Sequence, residues 1–200
     1  MIAVIDVAAG DVQPTLAALE LLDVSARIAA RPEDLIGADG VLLPAHHAFG
    51  EAMSALRDAQ LVEPLLAHVS AGRPLLATGA GMHLLGQMCT DGGAYQGLGL
   101  VPGTVLRLPA VPPSAWHHVD TMRPDGPVSA AGGDFWFAGA AHLVAGDEHV
   151  QARTTLGQVT VAAAVANGPV WGVRFPPERS GPDGLDVLAR FVARSRGLPT

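Results

Sequence analysis

The chain has 200 residues, 49% of them hydrophobic, a net charge of −7 and a pI near 5.5. That length can bury a substantial core, and the acidic balance argues against nucleic acid or a membrane surface as the main partner. No apolar run is long enough to span a bilayer, MIAVIDVAAGD lacks the basic flank and cleavage site of a signal peptide, and Cys89 is the single cysteine, so a cytoplasmic location is expected. All 12 basic residues are arginine, which removes Schiff-base and P-loop lysine chemistry from consideration.

In chain order, residues 2–5 read as a buried strand. Asp11 is placed to cap a helix in which Val12, Leu16, Leu19 and Leu22 share one stripe. Residues 24–29 give a second strand and 40–43 a third that ends at Pro44. Phe49, Met53 and Leu56 stand at helical spacing, and residues 61–69 continue as another helix. Residues 74–78 form an apolar strand that runs into Gly79-Ala80-Gly81 and a helix over 82–88. Beyond residue 90 Gly- and Pro-rich turns separate short strands at 104–108, 134–137, 150–154 and 159–165, expected as antiparallel pieces on one edge of a parallel sheet. A strand at 170–175 and a helix presenting Leu185, Leu188 and Phe191 close the chain. With no internal repeat or low-complexity linker, the expectation is a single α/β domain over residues 1–200.

A strand ending in a glycine-rich turn that feeds a helix is where α/β enzymes expose a nucleophile. Here the segment reads GRPLLATGAGMHLL, and it resembles GKPxLGICLGMQLL of the class I glutamine amidotransferases, in particular the glutaminase subunit of imidazole glycerol phosphate synthase. The resemblance runs along nearly the whole chain. LLPAHHAFGEAM is similar to LPGVGAFGEAM, QGLGLVPGTVLRLP to EGLGLIPGxVxRxP, and WGVRFPPERSG to FGVQFHPEKSG. It implies a flavodoxin-like, mostly parallel sheet flanked by helices, with an added antiparallel β portion.

Carried over residue by residue, the resemblance places the nucleophilic cysteine on Gly79, the catalytic histidine on Gly139 and the HPE histidine on Pro176. A shifted register would instead bring His142 near. Only the glutamate of that element persists, as Glu178, while His83 and Gln96 stand at positions that grip glutamine. Cys89 lies ten positions past the turn, roughly 15 Å down a continuous helix at ~1.5 Å per residue, and reads as an inert core thiol. No glutaminase activity is expected, because the family's route passes through a thioester.

Of the 8 histidines, His46, His47, His83, His117, His118 and His142 fall in segments that match the family's active site or subunit interface. Three readings stay open: neutral hydrogen-bonded side chains in an altered pocket, a divalent metal held by His46 or His47 together with His83 and with His142 or Glu178 as a third ligand, or a small-molecule pocket with His83 or His46 as acid–base. The segment VPPSAWHHV resembles VPHMGWNxV, a stretch implied to contact a (β/α)₈-barrel cyclase, and Asp6 to Asp11 resembles a second docking loop. Trp116 is then either an interface anchor or a packed core tryptophan. The expected protein is a pseudo-amidotransferase that partners a barrel synthase or self-associates. The alternative is an enzyme of altered chemistry in its histidine-lined pocket.

Overall fold

The computed structural model describes residues 1–6, 12–110 and 113–198; the expected cap at Asp11, the rest of the loop after Asp6, and Val111-Pro112 lie outside them. The chain order is β1 (Ile2–Ile5), α1 (Gln13–Glu20), β2 (Ala26–Ala29), β3 (Gly40–Ala45), α2 (Phe49–Asp58), α3 (Val62–Ser70), β4 (Leu75–Gly79) and α4 (Gly81–Leu84). There follow β5 (Met88–Cys89), β6 (Tyr95–Gln96), β7 (Gly103–Arg107), β8 (Ala115–Thr121), β9 (Gly133–Phe137) and β10 (Ala141–Ala145). The last elements are β11 (Val150–Leu156), β12 (Val159–Asn167), β13 (Val170–Val173) and α5 (Gly181–Ser195).

Nine strands form one sheet in the order β2-β1-β3-β4-β13-β12-β11-β8-β9. The first five run parallel and the remainder extend one edge antiparallel. Strand period 2 divides the core into two layers. Ala3, Ile5, Val41, Leu43, Leu75 and Ala77 face Met53, Leu56, Leu65 and Met82 on one side. Ile2, Val4, Leu42, Leu76 and Trp171 face Leu19, Leu188 and Phe191 on the other. Each leucine buried this way is worth about 2 kcal/mol, and the near-continuous apolar runs of β1, β3 and β4 follow from burial on both faces.

The predicted sheet and helix order holds, with four differences. β3 runs through Pro44 to Ala45: its ladder with β1 stops at Leu42, so the missing N–H of Pro44 costs no bond on that side. The strand near 104–108 is not on the main sheet. It pairs with β10 in a second sheet of order β10-β7-β5-β6. β5, β6, β8 and β10 had no expected counterpart: β5 and β6 are two residues each, β8 alternates in exposure but carries histidine on both faces, and β10 shows no clean alternation. Finally, the helix expected over 82–88 ends at Leu84. The Leu84 and Leu85 carbonyls accept the Leu98 and Val101 amides at 2.8 and 2.9 Å, so bonds that a longer helix would make internally go to the returning chain.

Candidate functional site

Ala45 pairs with Gly79 and Thr78 with Val173, so β3, β4 and β13 end together on one edge. In open α/β sheets ligands bind outside such carboxyl ends. A cavity of about 640 Å³ lies there. The chain after β3 contributes His46, His47 and Phe49, and the turn after β4 contributes Gly79, Ala80 and His83. The chain after β13 contributes Arg174, Pro176 and Arg179, the β9–β10 segment Trp136 and Gly139, and the small sheet Cys89, Asp91 and Arg107.

Gly79 adopts φ +61°, the left-handed conformation that glycine enters without penalty. Its N–H donates to the Phe175 carbonyl at 3.3 Å, and the Ala80 N–H donates to the Ala45 carbonyl at 3.1 Å. Two residues on, Gly81 packs so tightly that any Cβ would overlap the Leu43 carbonyl oxygen. The turn therefore has the form of a nucleophile elbow while its tip carries only hydrogen. Gly139 and Pro176 line the same cavity, so the three positions that the sequence motifs mark for catalysis meet in one place. Glu178 does not line it. Its Oε2 is buried without a protein partner, and burial pushes the carboxyl pKa up.

His46, His47 and His83 are brought together on the cavity wall; His142, on β10, is not. His83 is 9% exposed, and burial first, then the charges of Arg174 and His142, hold its pKa down to about 3. It is a neutral imidazole at pH 7 with a buried, unpartnered Nε2. The His47 Nε2 is likewise buried without a partner, and its Nδ1 stands 4.0 Å from Glu51. His142 is lowered by burial and by Arg174. Among the described residues, no group of three or more His, Cys, Asp or Glu side chains is arranged to hold a metal ion. His68 and His149 contact the carbonyls of Pro74 and Ala166, and His118 stands 2.9 Å from Asp134.

Cys89 requires a correction. Because α4 stops after four residues, the chain doubles back and Cys89, on β5, lines the cavity instead of lying far down a helix. Its chemistry is still that of a quiet thiol: burial raises its pKa, and its one hydrogen bond goes to the Asp91 carbonyl at 3.8 Å. Sequence reasoning also missed Arg174, although it replaces the glutamine of the FGVQFHPEKSG-like element. Arg174 is 3% exposed. It donates from Nε to the Ala141 carbonyl at 3.0 Å and from Nη2 to the Gly139 carbonyl at 2.9 Å. Trp116 is 52% exposed and meets the cavity-lining Trp136 edge to face at 6.2 Å, which excludes a packed core role.

The fold is that of the glutamine amidotransferases. It superposes on a crystal structure of a glutamine amidotransferase with TM-score 0.78 at 21% identity, covering 98% of this chain and 99% of that one. PurLQS from Thermotoga maritima gives TM-score 0.78 at 18% identity, with 96% and 97% covered. No family model matches the chain, but full-length relatives do. The imidazole glycerol phosphate synthase subunit HisH of Synechococcus elongatus is 35% identical over 96% of this chain and 93% of its own, and that of Desulfitobacterium hafniense 31% over the same shares. The chain belongs to the HisH family of imidazole glycerol phosphate synthase subunits. Among the described residues no helix is long and apolar enough to cross a membrane.

Proposed function

We propose that this protein is a non-catalytic member of its family, a pseudo-amidotransferase that serves as the partner subunit of a (β/α)₈-barrel synthase in the cytoplasm. The observation that carries this reading is the tip of the turn after β4. Gly79 offers no thiol, Gly139 and Pro176 beside it offer no base, and the nearby thiol of Cys89 is held protonated by burial. Removing members of a catalytic triad costs factors on the order of 10⁴ to 10⁶ in rate. Without a thiolate the thioester route does not open at all. The partner synthase would then draw on free ammonia.

The relatives are named as subunits of a synthase, which supports a partner for this chain too. Trp116 is a suitable anchor for it. A half-exposed tryptophan braced on a second tryptophan presents a large rigid apolar surface, as hot-spot residues do. Two measurements test the proposal. Incubation with glutamine should release no glutamate above a protein-free blank, and release that Cys89→Ser abolishes would sink the claim of inactivity. Size-exclusion mixing with a (β/α)₈-barrel synthase from the same organism should give a joint peak at micromolar concentration. Two separate peaks there would remove the partner role.

A further inference from the structure

The cavity wall carries more cationic character than an acidic chain leads one to expect. Arg107, Arg174 and Arg179 line it, against the single carboxylate of Asp91, which stands 3.3 Å from Arg107. Arg174 is the telling one. A guanidinium taken out of water is ordinarily paired with a carboxylate. Here its contacts are two backbone carbonyls and the face of Phe137, 5.7 Å away, and its buried Nη1 has no protein partner. Burial lowers its pKa only to about 10, so it is charged at pH 7. The two carbonyl bonds fix the plane of the fork, and the buried Nη1 is the nitrogen they leave without a partner. His83 and His47 add two further buried nitrogens without partners on the same wall. Trp136, Phe49 and several alanines make the remainder apolar.

We propose that this pocket binds a small oxyanion, a carboxylate or phosphate carried on an apolar body, with Arg174 as the primary anchor and Arg179 and His83 as supporting contacts. Charge-assisted bonds from a guanidinium whose orientation is already fixed are the strong kind, and little ordering is needed on binding. This inference rests on the reading of the pocket as one that no longer processes glutamine.

The test titrates benzoate, phenyl phosphate and the neutral benzamide against the full chain, by calorimetry and by thermal midpoint. At least one of the two anions should bind saturably and at least tenfold more tightly than benzamide, and the tighter one identifies the head group. Arg174→Gln should weaken that anion tenfold or more and leave benzamide unchanged. Because Arg174 also braces two carbonyls, R174Q is at risk of misfolding; Arg179→Gln, at an exposed position, then carries the test with an expected loss of threefold or more. Anions no tighter than benzamide, or variants that bind as wild type does, would overturn the proposal and show Arg174 to be a structural brace only. Failure here in a protein that releases no glutamate refutes the oxyanion site alone, whereas glutamate release refutes the reading beneath it.

Discussion

The turn after β4 and the cavity it opens into have followed different rules. At the turn, backbone sterics dictate the residue: φ +61° at Gly79, and a gap at Gly81 that the Leu43 carbonyl leaves too small for any Cβ. In the cavity wall, side-chain chemistry dictates it, and there the residues are a glycine, a proline, the neutral imidazole of His83 and an arginine whose contacts are carbonyls and an aromatic face. The difference teaches that the turn keeps the form of an elbow with a glycine at its tip. The elbow is held by Phe175 and Ala45 carbonyls from the neighbouring strand ends, and these hydrogen bonds are indifferent to what the tip carries.

That contrast predicts unequal responses to mutation. The largest belongs to the frame. Gly81→Ala forces the start of α4 away from β3, and overpacking of this kind against backbone costs about 3 kcal/mol. Urea unfolding should show a much lower midpoint at unchanged m-value. A wall substitution such as Pro176→Ala should by comparison cost less than about 1 kcal/mol, because Pro176 is only partly buried. Equal losses at the two sites would erase the distinction between frame and wall.

The next effect is acid sensitivity from His83. Its pKa is depressed from 6.5 to about 3 in the folded chain. Between those values the unfolded chain binds a proton that the folded chain refuses, so stability is present above pH 6.5 and lost as pH falls. The loss is roughly 2 kcal/mol from pH 7 to pH 5. Glu178 pulls the other way, since a raised carboxyl pKa favours the fold at low pH. Comparing wild type with His83→Gln cancels that contribution. The variant should lose less of its thermal midpoint between pH 7 and pH 5, and parallel losses in the two proteins would mean that His83 is not buried as described.

Most of the frame was legible in the sequence because apolar periodicity is local. The runs of β1, β3 and β4 and the stripe of α5 announce themselves. The end of α4 was not legible, because the Leu98 and Val101 amides that cap it come from residues 98–101 through tertiary contact. Cys89 was misplaced for the same reason. The glycines and the proline of the site were visible as departures from a familiar motif. Arg174 was not singled out, since one arginine after an apolar strand carries no local sign that it is buried and without a carboxylate.

A smaller effect tests the elbow itself. Gly79→Cys puts a side chain at φ +61° with its Cβ 3.3 Å from the Ala45 oxygen, a strain of about 1 kcal/mol. The protein should still fold, and its new thiol should be alkylated by iodoacetamide faster than Cys89. Glutamate release should stay at background, because no imidazole stands in the place of Gly139 or Pro176. Full glutaminase turnover from this single change would mean that the wall retains a working base.

The smallest effect on stability is expected at Trp116, and it separates the fold from the surface. With 52% of the residue in solvent and an edge contact to Trp136, Trp116→Ala gives up only part of a tryptophan's packing, so the loss of unfolding free energy should stay at about 1 kcal/mol or below. The same substitution should weaken association with the barrel synthase by tenfold or more, the usual consequence of truncating an aromatic anchor, about 1.4 kcal/mol or above. Stability and binding are measured on the same preparation. Loss of stability with binding intact would place Trp116 in the frame, whereas the expected split places it on the face through which the chain meets its partner.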